Sequence, residues 1–149
     1  MGQPLPDATM LSTAEVALRL SLAFVLGALV GVERQWHHKN AGLRTHTLVA
    51  VGAAAFTIVS SLGLGATNSP MMIAAGVVTG IGFIGGGVIM HQGPTVQGIN
   101  TAATLWTTAS VGLAAGAGYY ALMAMVFAAV LVVQFPLQWV ERWIDRQST

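Results

Sequence analysis

Apolar residues run through this chain in five long blocks, separated by short clusters of glycine, proline and polar residues. The blocks lie near Ala14–Val32, Thr45–Leu64, Met71–Met90, Asn100–Ala115 and Tyr119–Val140. A helix rises about 1.5 Å per residue and needs about 20 residues to cross a hydrocarbon core. Each block is therefore read as a transmembrane helix, and the predicted fold is all-α, a polytopic membrane helix bundle. The breaks have local causes. Gly63, Gly65, Asn68 and Pro70 turn the chain after the second block, Gly93-Pro94 ends the third, and Gly116 and Gly118 separate the fourth from the fifth. Four spans follow instead if the fourth block is re-entrant. The predicted organisation is a short N-terminal segment over residues 1–13, a transmembrane domain over 14–140 and a short tail over 141–149.

Composition supports lipid as the solvent. Of 149 residues, 54% are hydrophobic and 7% charged, against roughly a quarter charged in soluble domains. From Thr45 to Val140 there is no Asp, Glu, Lys or Arg. In water such a stretch would expose large apolar patches, whereas a bilayer solvates an apolar helix surface. With six basic residues and a net charge of +1, a phosphate-tracking stripe for nucleic acid is excluded. Without cysteine there is neither a disulfide framework nor a thiolate metal site. The first 13 residues carry Asp7 and no Lys or Arg, which is not the positive start of a cleavable signal.

The few charges predict direction. Arg34, Lys39 and Arg44 follow the first span against Glu33 alone, while the 67–70 turn has none. By the positive-inside rule the 34–44 loop is expected in the cytoplasm, with Met1 outside and Thr149 inside. Trp36, Trp139 and Trp143 then fall at the inner interface, and Tyr119 and Tyr120 at the outer one.

Small residues recur four apart at Gly27/Gly31, Gly76/Gly80, Gly82/Gly86 and Gly112/Gly116. This spacing lets helix backbones approach closely where lipid supplies no hydrophobic drive, and it predicts packed faces on the first, third and fourth spans. Subunit contact uses the same signal. The run Gly85-Gly86-Gly87 is expected to weaken the third helix, and a broken helix in a membrane is covered by protein or lines a cavity. The dinucleotide-like run Gly80 to Gly85 is rejected, since no strand precedes it and no acid follows until Glu141.

Glu15 and Arg19 stand one turn apart inside the first span, as a buried functional pair or with Arg19 snorkelling to the headgroups. At the other end, Glu33 and Arg34 close the first span, Arg44 and Thr45 open the second, and Asn100, Thr101 and Thr104 open the fourth. These seven form the predicted polar cluster, with Arg34 and Arg44 as partners for Glu33 and with helix N-termini suited to an anion. The Asn100, Thr101, Thr104, Thr108 stripe is read as helix–helix bonding or a pore lining. His37, His38, His46 and His91 are expected at the cytoplasmic face, in poor chelate geometry. No catalytic constellation, cofactor site or metal site is predicted, so the protein is read as not an enzyme.

Three stretches in order carry a family resemblance: Gly27-Ala-Leu-Val-Gly-Val-Glu-Arg34 with Ala41-Gly-Leu-Arg-Thr-His-Thr-Leu-Val49, then Gly80-Ile-Gly-Phe-Ile-Gly-Gly-Gly-Val-Ile89, then Gly98-Ile-Asn-Thr-Ala-Ala-Thr-Leu-Trp106. Together, over roughly residues 14–130, they resemble the membrane domain of the MgtC/SapB family. The resemblance implies a bacterial inner-membrane protein linked to magnesium homeostasis and low-magnesium adaptation. It also implies action on a membrane partner such as the F-type ATP synthase, for which helix contacts are the expected means. A small oligomeric ion or solute transporter is the alternative. The resemblance also places Glu33, Arg34, Gly42, Arg44, Thr45, Gly82, Asn100, Thr101 and Thr104 at signature positions. The family often has an amide where Gly76 stands and an Arg where Gln97 stands. It also often has a soluble domain after the last span, where this sequence carries only a short tail.

Overall fold

A computed structural model describes residues 11–62 and 70–147. The predicted turn residues Gly63, Gly65 and Asn68, Asp7 and the ends of the N-terminal segment and tail lie outside that range. The chain is an all-α membrane bundle: α1 (Thr13–Trp36), α2 (Leu43–Ser61), α3 (Pro70–Gly87), α4 (Ile99–Gly116) and α5 (Tyr120–Val132), which passes through a π-helical turn (Val133–Leu137) into α6 (Gln138–Asp145). Each predicted block coincides with a helix to within a few residues. By length and composition α1, α2 and the Tyr120–Leu137 run can each cross a membrane, and the apolar run of α3, Met71–Gly87, is shorter.

Local chemistry sets the ends. Ser12 caps α1, its Oγ accepting from the Glu15 N–H at 3.1 Å. Pro136 lies inside the π-helical turn, where its missing N–H cannot continue α-helical bonding. The glycine triplet does not break the third helix midway. α3 runs unbroken to Gly87 and stops there, because consecutive glycines make the end of a helix easy to leave. An antiparallel hairpin follows, with Met90–Gln92 pairing Thr95–Gln97 around Gly93 at φ 63°. Gly98 opens α4 at φ 94°, and a Cβ there would meet the Val88 carbonyl oxygen at 2.0 Å, so only glycine fits.

α4 is the central helix, touching α1, α2, α3 and α5. These neighbours cover the polar stripe of α4: Thr101, Thr104 and Thr108 are buried against protein, while Trp106 faces outward. The core is built of small side chains, with Ala23, Ala50, Ala54, Ala114 and Ala115 around Val111 and Met123. Large apolar residues face outward, Phe83 at 87% exposure and Leu48 at 70% among them, as a lipid-facing surface requires.

Ala50 of α2 is fully buried between two glycine faces. A Cβ on Gly27 of α1 would lie 2.7 Å from the Ala50 Cβ, and one on Gly112 of α4 would lie 2.2 Å from the Ala50 carbonyl oxygen. Gly31 and Gly116 meet α2 equally closely, at Leu43 and Ala54. The predicted close packing on the first and fourth spans is therefore present. The third span differs: Gly76, Gly80, Gly82 and Gly86 have nothing within 4 Å of an added Cβ. The tight glycine face expected there is not formed among the described residues: Gly76 and Gly80 line an open cleft beside Gly52 and Ala53 of α2 rather than a close contact.

Candidate functional site

The seven predicted cluster residues divide into a core that meets and a fringe that does not. Glu33 and Arg34, in the last turn of α1, are both buried, with side chains 3% exposed. Arg34 reaches across the bundle, and its Nη2 donates to Asn100 Oδ1 at 2.7 Å. Its Nη1 stands 3.9 Å from Glu33 Oε2, an ion contact rather than a hydrogen bond. Thr104, one turn into α4, donates to the Asn100 carbonyl at 2.8 Å, which fixes the turn that carries Asn100. Thr101 is buried beside them in α4. One helix end thus presents a guanidinium held by a carboxamide, with a carboxylate alongside.

Arg44 and Thr45 do not join this core. Arg44 is exposed and no bond or ion pair of its side chain is found among the described residues. The expected Glu33–Arg44 pairing is replaced by His37, whose Nδ1 lies 2.9 Å from Glu33 Oε1 and 3.0 Å from the Glu33 carbonyl oxygen. Hydrogen-bond geometry is met only at the carbonyl, so among the described residues both carboxylate oxygens of Glu33 and the Nε of Arg34 have no hydrogen-bond partner. The reason is helical: His37 follows Glu33 by four residues on one face, while Arg44 begins a different helix and points outward.

Two further polar contacts lie outside the predicted cluster. His46, expected at the membrane boundary, is fully buried, its Nδ1 2.9 Å from Thr108 Oγ1. Thr108 spends its one hydroxyl proton on the Thr104 carbonyl at 2.8 Å. At the opposite end of the bundle, Arg19 does not snorkel outward. Its Nε meets Glu15 at 2.9 Å and its Nη1 donates to the Gly116 carbonyl at 2.7 Å, capping the C-terminus of α4. Tyr120 donates to the same Glu15 oxygen at 2.5 Å. The i,i+4 spacing of Glu15 and Arg19 showed the pair. Nothing in one sequence shows that Tyr120, 105 residues later, joins it. Among the described residues no three His, Asp or Glu side chains converge as a metal site requires.

The MgtC family profile matches residues 20–143, which contain the whole Arg34–Asn100 site. This chain belongs to the MgtC family. Over 116 residues it is 54% identical to Protein MgtC of Brucella abortus, covering 76% of this chain and 48% of that protein. It is likewise 54% identical over 103 residues to Protein MgtC of Salmonella typhimurium, covering 69% of this chain and 44% of that protein. An uncharacterized protein of Synechocystis is 50% identical over 133 residues, 89% of this chain and 56% of the relative. The chain spans about half the length of the curated relatives it matches. No solved structure matches. Membership in the MgtC family confirms the resemblance read from the glycine-rich and Asn-Thr stretches.

Proposed function

We propose that this MgtC-family protein is a non-enzymatic regulator in the bacterial inner membrane, linked to magnesium homeostasis, that acts on a larger membrane complex through helix contacts. The F-type ATP synthase is the partner that the family resemblance offers. The observation that supports this reading most is α3. Its glycines Gly76, Gly80, Gly82 and Gly86 leave open space beside exposed Met72, Phe83 and Ile84. A helix face of that kind admits a second backbone at close range. A homo-oligomer uses the same face. The locked Arg34–Asn100 end holds α1 and α4 rigid behind it, with the 34–44 loop in the cytoplasm. The transporter reading draws on the polar stripe of α4, and a flux assay separates the two. Protein reconstituted in liposomes is expected to carry no cation faster than empty vesicles, while its co-reconstitution with ATP synthase lowers ATP-driven proton pumping. Substrate-dependent flux with pumping unchanged would replace the regulator by the transporter.

A further inference from the structure

The last span ends in a change of helix type. The run Tyr120–Leu137 is 18 residues long, about 27 Å at ~1.5 Å per residue, close to a hydrocarbon core about 30 Å thick. α6 (Gln138–Asp145) therefore begins where the hydrocarbon ends. The turn between them is π-helical and holds Pro136, and both features bend helices.

α6 spreads its apolar residues differently from α5. Every residue from Ala121 to Val133 is apolar, as suits a helix buried in lipid and protein on all sides. In α6 the apolar residues are Trp139, Val140, Trp143 and Ile144, at i, i+1, i+4 and i+5, which is one face of a helix. Gln138, Glu141, Arg142 and Asp145 take the remaining positions. Trp139 is 77% exposed, Trp143 60%, and Val140 is exposed beside them. Among the described residues α6 packs extensively only against the π-helical turn from which it grows.

A one-sided helix fits a one-sided environment. Standing upright, α6 would carry Trp143 and Ile144 away from the bilayer into water and hold Glu141 nearer the hydrocarbon than Trp143. Lying flat, it brings all four apolar residues to one depth and turns the polar positions to water.

We propose that α6 is an in-plane lipid anchor, lying flat in the interface of the leaflet at that end of α5, with Trp139, Val140, Trp143 and Ile144 sunk among headgroups and upper acyl chains. The amphipathic indole rings suit that level. The lipid is recognised by its hydrocarbon and not by its charge. Glu141 and Asp145 offset Arg142 and Arg146, so apolar insertion carries the binding rather than attraction to anionic lipid. A helix held in this way sets the tilt of α5. The proposal does not depend on which complex the protein regulates.

The chain has no cysteine, so a spin label can be placed on one introduced thiol at a time, from Trp139→Cys to Arg146→Cys. The test uses the full chain reconstituted in dioleoyl phosphatidylcholine vesicles. The readout is accessibility to oxygen, which concentrates in hydrocarbon, against a water-soluble nickel chelate. A flat α6 gives an oxygen-to-nickel ratio that oscillates with a period of about 3.6 residues. The ratio should be high at Val140→Cys, Trp143→Cys and Ile144→Cys and low at Glu141→Cys and Asp145→Cys. Replacing part of the lipid by dioleoyl phosphatidylglycerol should leave the pattern unchanged. A ratio that falls steadily along α6, or stays low throughout, overturns the proposal. Shielding of Val140→Cys and Trp143→Cys from both reagents also overturns it, since protein, a second copy included, would then cover the face. A pattern that forms only with phosphatidylglycerol replaces apolar insertion by charge attraction and overturns it as well.

Discussion

Arg34 and Asn100 are 66 residues apart in sequence and 2.7 Å apart in space, guanidinium to carboxamide. This bond ties the end of α1 to the start of α4 and gives a buried cation a close side-chain acceptor. Charge-assisted hydrogen bonds contribute about 1.5–3 kcal/mol, and removing one partner strands the other. Asn100→Ala is expected to lower unfolding stability in detergent by that amount. A double-mutant cycle with Arg34→Met should show coupling above about 0.5 kcal/mol. Additive losses would mean that the two residues stabilise the fold independently.

The glycine pairs, alike in sequence, should separate by mutation. Gly112→Ala pushes a methyl to 2.2 Å from the Ala50 carbonyl oxygen, whereas Gly76→Ala meets nothing within 4 Å. Overpacking costs about 1–3 kcal/mol. Gly112→Ala should therefore lose about that much stability while Gly76→Ala stays within about 0.5 kcal/mol of the wild type. Thermal unfolding of the two purified variants decides. Equal loss would place a packed neighbour against α3 that the single chain does not supply.

Span existence was legible because the five apolar runs and their Gly and Pro breaks are local signals. Facing was not. Gly27/Gly31 and Gly82/Gly86 carry the same spacing, and only the neighbouring helix decides which face is covered. His46 reads as a boundary residue by its place at the start of α2, yet helical rotation puts it against Thr108. Five of the seven cluster residues were visible, because Glu33, Arg34, Asn100, Thr101 and Thr104 sit at helix ends that alternate through the membrane. Arg44 shares that level but not that face. The hairpin strands, three residues each, are too short to show alternation.

Arg19 ties α1 to the far end of α4 through the Gly116 carbonyl. Gly118 makes room for it, since a Cβ there would lie 2.7 Å from Arg19 Nη2. Arg19→Met should lower the melting temperature more than Tyr120→Phe, because it removes the carbonyl cap and the Glu15 contact together, while Tyr120→Phe leaves both. Gly118→Val should resemble Arg19→Met, with added backbone strain from φ 77°. Differential scanning of the three variants gives the order. Tyr120→Phe as the most damaging would assign the anchor to the Tyr120–Glu15 bond instead.

Arg44 separates structure from function most cleanly. Its side chain is exposed and has no bond or ion pair among the described residues, so Arg44→Ala should leave stability within about 0.5 kcal/mol of the wild type. Yet Arg44 stands in the first turn of α2, where free backbone N–H groups and the positive end of the helix dipole favour an anion. Its guanidinium is therefore available to a carboxylate of a partner or to a lipid phosphate. In a strain that depends on this protein for growth at low magnesium, Arg44→Ala should reach normal membrane levels and fail to support growth. Arg44→Lys should support it partially, because an ammonium keeps the charge and loses the bidentate fork. Full growth with Arg44→Ala at normal abundance would reduce Arg44 to a marker of topology and confine the site to Glu33, Arg34 and Asn100.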